Sequence, residues 1–214
     1  MVLAIFFPAG GGDTLRYEVV ALNILQNGCV SLSEPTLGDC KPHWGGNQLP
    51  GYPLFLSLVW GVFGVSWLSA SIVQIILVTA AICYLLRAIH RLCGEWYSAL
   101  AVGLTVSLSP LQIPWSRMAL TETLSFAIII WIFAELAFSL AANRLRVWPL
   151  GLSITAAIFI RYDNAFLCLA IAICGFYLHG PKQALLRGAL ISAIVAVPLL
   201  GWMVRGIAHG LSAV

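Results

Sequence analysis

Apolar residues run along this chain in stretches longer than the interior of a soluble domain needs. Residues 66–86, "SWLSASIVQIILVTAAICYLL", and 119–142, "ALTETLSFAIIIWIFAELAFSLAA", each reach the roughly 20 residues that a helix needs to cross a bilayer. Residues 96–110 and 188–203 are shorter runs that also read as spans. Between Pro149 and Tyr177 two apolar stretches flank "RYDN" (residues 161–164). Each is short for a full crossing. The pattern predicts a hairpin of two short or tilted helices, with its charged tip at one membrane face.

Two more elements precede the first long run. "DTLRYEVVALNILQ" (13–26) reads as an amphipathic helix. Leu15, Val19, Leu22 and Leu25 share a face, Asp13 or Thr14 caps the start, and Asn27-Gly28 closes the end. "GYPLFLSLVWGVFG" (51–64) is apolar, and the basic residues decide where it lies. Arg87 and Arg91, Arg144 and Arg146, and Lys182 and Arg187 follow successive spans as cytoplasmic loops should. A crossing by residues 51–64 would put these loops on the wrong side. That segment is therefore expected in the outer interface, a setting that suits Tyr52, Trp60 and Trp67. Residues 10–50, "PLQIPWSRM" (110–118), "RYDN" and the C-terminal tail then face outward. So do Asp13, Glu18, Glu34, Asp39, Glu122 and Asp163, while Glu95 and Glu135 fall inside. Acids do little to set topology, so their clustering needs another reason. Solvated loops account for Glu34 and Asp39 better than for Glu122, which begins a membrane helix.

Composition agrees. Of the 214 residues, 61% are hydrophobic and 9% charged, with mean hydropathy +0.96; a soluble domain carries roughly 25% charged residues. The expected fold is all-α: a polytopic transmembrane helix bundle with interfacial helices in its first outer loop. The net charge of +3 comes without a basic run, which argues against a nucleic-acid partner. "MVLAIFF" lacks the basic start of a signal peptide and reads as the last third of a first membrane helix. Residues 1–214 are thus expected to be one membrane module, and an incomplete one. Cys83, Cys93, Cys168 and Cys174 read as small hydrophobes. Cys29 and Cys40 share the outer loop; an oxidising compartment would let them bridge, and both being free is the other reading. No metal-ligand spacing, G-x-S-x-G or P-loop occurs.

An ordered series of short motifs remains: Asp13, Tyr17 and Ala21 on the first helix, then "NQLPGYPLFLSLVWGVFG", a long helix ending in "LLRAIHRLCG", "LSP", "SRMALTETL" and "IRYDN". In order and spacing the series resembles bacterial members of the GT-C glycosyltransferase superfamily. The nearest group is the dolichyl-phosphate-mannose protein mannosyltransferase-like family, which includes the aminoarabinose transferases of lipid A. The resemblance implies an enzyme of the plasma or inner membrane that takes a sugar from a polyprenyl-phosphate donor. The acceptor would be a lipid, glycan or protein on the outer face. It implies an essential acid in the first outer loop, matched by Asp13, and a second at the outer start of a later helix, matched by Glu122 in "TETL". "PGYP" (50–53), with Tyr52, matches the donor-side loop. Relatives often carry a charged residue just before those prolines, where this chain has Asn47, Gln48 and Leu49. No cofactor is certain, and a divalent metal is left open. Relatives are about twice as long or more.

The chemistry asks for the same residue types. Transfer from a lipid phosphate needs a carboxylate, either to take the acceptor proton or to stabilise an oxocarbenium-like centre. It also needs cations for the departing phosphate, for which Arg117 and Arg161 are the outer candidates. Plainer roles compete: headgroup snorkelling for the arginines, a helix-dipole acid for Glu122, a cap for Asp13, interface anchoring for Tyr17 and Tyr162. A transporter-like bundle would show internal repeats and broken helices meeting at mid-depth, and neither is evident. A non-catalytic membrane fragment is the remaining alternative.

Overall fold

A computed structural model describes residues 12–33, 49–108 and 121–208, with side chains from Thr14 onward. The fold is all-α and polytopic. In order come α1 (Gly12–Asn27), α2 (Gly51–Phe63), α3 (Trp67–Cys93), α4 (Trp96–Ser107), α5 (Thr121–Ala141), α6 (Val147–Ile160), a 3-10 turn (Tyr162–Phe166) and α7 (Leu167–Ala208). Trp67–Cys93, Thr121–Ala141 and Tyr162–Ala208 are long and apolar enough to cross a membrane.

α7 is folded back on itself at Gly180, whose φ of 69° and ψ of 174° break the helix. A Cβ on Gly175 would lie 3.9 Å from that of Ala184, and His179 meets Arg187. A continuous helix would hold residues nine apart at about 13 Å. Pro181 opens the returning arm, where its missing N–H costs nothing. The cytoplasmic loop expected around Lys182 and Arg187 is thus a turn at Gly180, and both residues belong to helix.

Helix directions follow from the contacts. Ala70 and Leu124, near the starts of α3 and α5, share one cluster; Tyr84 and Glu135, farther along, are hydrogen-bonded. The two helices run parallel. α6 returns between them in direction, from Arg146 to Arg161, which pairs with Glu122 at the start of α5. One end of the bundle therefore carries Glu122, Arg161 and Asp163. The other carries Arg87, Arg91, Arg144, Arg146, Lys182 and Arg187, the six basic residues grouped by the sequence.

The packing is that of helices in lipid. Ala81 and Ala88 of α3 meet Ala127, Ala134 and Ala137 of α5, so the backbones approach closely. Many large apolar side chains also face outward, as with Leu54, Leu58 and Val62 along one stripe of α2. This corrects the face assigned to α1. Leu15 and Leu25 are exposed, and Thr14, Val20, Ala21 and Asn23 are buried. Ala21 and Tyr17 meet α2, while Asn23 Nδ2 donates to the carbonyls of Ser31 (3.0 Å) and Ser33 (2.8 Å). The helix also begins at Gly12, which puts Asp13 and Thr14 inside its first turn rather than at its cap. Tyr52 and Trp60 are likewise buried in protein, not displayed as interface anchors. Trp60 Nε1 donates to the Ser66 carbonyl at 2.9 Å.

At Gly51 the start of α2 lies on α6: a Cβ there would stand 2.5 Å from the Phe159 carbonyl oxygen. Backbone cannot step aside as a side chain can. Gly51→Ala is expected to lower stability by about 1–3 kcal/mol, the usual range for overpacking. Gly188→Ala, which meets nothing within 4 Å, should be neutral or mildly stabilising. Thermal unfolding of both in detergent checks the contrast.

Candidate active site

The RYDN turn is docked by its last residue. Asn164 is buried; its Nδ2 donates to the Ala157 carbonyl (2.8 Å) and to Ser125 Oγ (2.9 Å), and its Oδ1 lies 3.1 Å from the same hydroxyl. Ser125 sits one turn after Glu122 on α5. Fixing the turn there brings Arg161, held in extended backbone at the end of α6, against the Glu122 carboxylate. Arg161 Nη2 also reaches Asp163 Oδ2 at 3.2 Å, and Thr121 Oγ1 donates to Glu122 Oε2 at 3.2 Å. Partial burial works against the guanidinium charge, but Asp163 and Glu122 outweigh it and hold its pKa above even the usual arginine value.

The result is one cation between two acids. Asp163 is the more open of the two, half exposed where Glu122 is 30% exposed.

Tyr52 lies beside this cluster. It is fully buried, and its Oη accepts from Gln74 Nε2 at 3.2 Å. Burial is the largest cause and pushes its phenol well above the ordinary range; the Gln74 hydrogen bond pulls the other way but only in part, and the nearby Glu122 charge adds to the rise. Tyr52 therefore acts as a neutral hydrogen-bonding group. The Tyr17 ring meets it edge-on at 5.0 Å. Asp13 lies one helical turn before Tyr17 on α1.

Of the expected site residues, Glu122, Arg161, Tyr17 and Tyr52 thus gather at one end of the bundle. Arg117 and Cys40 lie outside the described residues. Cys29 is disulfide-bonded, and Cys83, Cys93, Cys168 and Cys174 are free. Among the described residues no three His, Cys, Asp or Glu side chains form a metal-binding group.

Sequence reading missed Ser125, Asn164 and Gln74 as supports. A signal was present: Gln74 and Ser125 are polar residues inside apolar helices, where such groups are retained for a partner. It also missed the shape of the surroundings. An apolar groove of about 1120 Å³ runs between the α3–α4 pair (Leu85, Ile89, Leu92, Val102, Val106) and the first arm of α7. Its floor is α5, from Phe126, one turn past Glu122, to Leu140.

The sequence model of the family described as dolichyl-phosphate-mannose-protein mannosyltransferase matches residues 42–202, which is 161 of the 214 residues. The match includes Tyr52, Arg117, Glu122 and Arg161; Asp13, Tyr17 and the Cys29–Cys40 segment start before it. No curated protein and no solved structure matches significantly.

Proposed function

The chain belongs to the dolichyl-phosphate-mannose-protein mannosyltransferase family, and from that membership we propose that it takes part in moving a sugar from a polyprenyl-phosphate donor to a lipid, glycan or protein acceptor. The observation that supports this reading is the Glu122–Arg161–Asp163 cluster, with an apolar groove whose lining along α5 begins at Phe126, one turn past Glu122. A sugar carried on an isoprenoid phosphate needs such a neighbourhood: a dry lane for the chain, a cation for the phosphate, and acids where the sugar is exchanged.

In this reading the isoprenoid lies along α5 in the groove. Arg161, with Arg117, takes the phosphate as it leaves, and Asp163 gives way to it. Tyr17 stands at the sugar side, and the buried Tyr52 backs it through their edge-on ring contact. Asp13 takes the acceptor proton, and Glu122 holds Arg161 in place. The site faces the outer side of a plasma or inner membrane crossed several times, because the six basic residues gather at the opposite end.

Two measurements test the proposal. For the donor, Arg161→Ala is expected to weaken binding of a polyprenyl phosphate by about tenfold or more, with Arg161→Lys restoring only part, because the bidentate guanidinium is lost. Unchanged binding in both would leave headgroup snorkelling as the role of Arg161. For sidedness, reporter fusions after Arg91, Arg146 and Lys182 should read as cytoplasmic, and one after Asp163 as external. A cytoplasmic signal at Asp163 would overturn the placement of the site.

A further inference from the structure

At the end of the bundle opposite Glu122, a second cavity of about 1020 Å³ opens between the α5–α6 connection and the returning arm of α7. Three arginines stand at it: Arg144, Arg146 and Arg187. Arg146 is committed, since its Nη1 pairs with Glu135 at 2.7 Å. Arg144 and Arg187 have no carboxylate partner among the described residues. Arg187 is nonetheless held in place, because its guanidinium meets His179 Nε2, which also accepts from the Leu145 N–H at 3.1 Å. A histidine acceptor fixes that cation without neutralising it. The first turn of α6, where the Val147 and Trp148 N–H groups have no partner within the helix, begins at the same rim.

Away from the arginines the lining turns apolar. Trp148 stands 70% exposed beside the rim, and Leu190, Ile194 and Val197 continue down the arm to Pro198. From Arg187 to Pro198 is about 16 Å of helix, and one leaflet of the hydrocarbon core is roughly 15 Å deep. The lane therefore has one basic end and the length of one acyl layer.

We propose that this cavity is a binding site for one anionic phospholipid, its phosphate between Arg144 and Arg187 and an acyl chain along Leu190, Ile194 and Val197. Charge complementarity selects the headgroup, since two unneutralised cations at one rim favour a lipid of net negative charge over a zwitterion. The lane selects a lipid over a free phosphate. The exposed Trp148 suits the level of the headgroups. The site is separate from the Glu122 cluster, and its occupancy does not depend on sugar transfer.

The test is lipid binding to the purified protein in detergent, read by native mass spectrometry with phosphatidylglycerol, phosphatidylcholine and glycerol phosphate as probes. Phosphatidylglycerol is expected to bind at least tenfold more tightly than phosphatidylcholine. The double variant Arg144→Gln/Arg187→Gln should abolish that preference. Ala193→Phe, which fills the lane and leaves the charges in place, should weaken phosphatidylglycerol binding by a similar factor. Equal affinity for the two lipids, or a preference that survives both variants, would overturn the proposal. So would competition by glycerol phosphate at lipid-binding concentrations, which would mark a site for the phosphate alone. Thermal unfolding of each variant shows that lost binding is not lost structure.

Discussion

Arg146→Ala is expected to cost about 3–5 kcal/mol of stability, the range for stranding one member of a buried ion pair. The reason lies with its partner. Glu135 is 3% exposed at the side chain, within α5, while the Arg146 side chain is 37% exposed. Tyr84 supports the pair, donating to Glu135 Oε1 at 2.7 Å and accepting from Arg146 Nη1 at 3.1 Å. Removing the arginine leaves a buried carboxylate with a single neutral donor. Removing the acid charge instead, by Glu135→Gln, leaves an arginine that can turn toward water or headgroups, so it should cost less. The double replacement Glu135→Leu/Arg146→Leu should recover most of the loss, because apolar residues of similar size often replace a buried pair at little cost. Equilibrium unfolding in detergent of all three decides it. Equal costs for the two single variants would show that burial of Glu135 does not govern the pair.

That pair also marks where the sequence stopped being legible. Glu135 and Arg146 could be placed at the same end of the bundle, yet nothing in their spacing across a helix end named them as partners, still less Tyr84 from α3. The helices themselves were legible, because a span needs a long apolar run and such runs stand out. The grouping of the basic residues was legible, and the fold does collect them at one end. Faces were not. Leu15 and Leu25 suggested the buried stripe of α1, since leucine marks the core of a soluble helix. In a chain surrounded by lipid, leucine loses nothing by facing outward, so leucine marks both the lipid face and the interior (Leu56, Leu150 and Leu167 are buried), and small and polar residues are the better guide to a buried face. Ala21, Asn23, Gln74 and Ser125 were the informative residues. The meeting of Glu122 with Arg161 was half legible. Both were expected at the outer end, but their contact depends on Asn164 docking to Ser125, a long-range pairing that no local pattern encodes.

Asp13→Asn is expected to lower sugar transfer by roughly 100-fold or more, the usual scale for loss of a general base. Abundance should stay normal. Asp13 lies in the first turn of α1, where a negative charge gains about 0.3–1 kcal/mol from the helix dipole. Losing that much does not unfold a bundle held by α3, α5 and α6. Glu122→Gln should behave differently, because Glu122 is already paired with Arg161. Gln can still accept from the guanidinium but no longer balances its charge. Arg161 would then be held less firmly where the donor phosphate binds. The expected effect is a raised KM for the polyprenyl donor with a smaller fall in kcat, whereas Asp13→Asn should lower kcat and leave that KM nearly unchanged. Steady-state kinetics of the two variants, with donor and acceptor varied separately, distinguish the roles. Near-normal kcat in Asp13→Asn would make the acid a first-turn helix residue and nothing more. A fall confined to kcat in Glu122→Gln would move the base to α5.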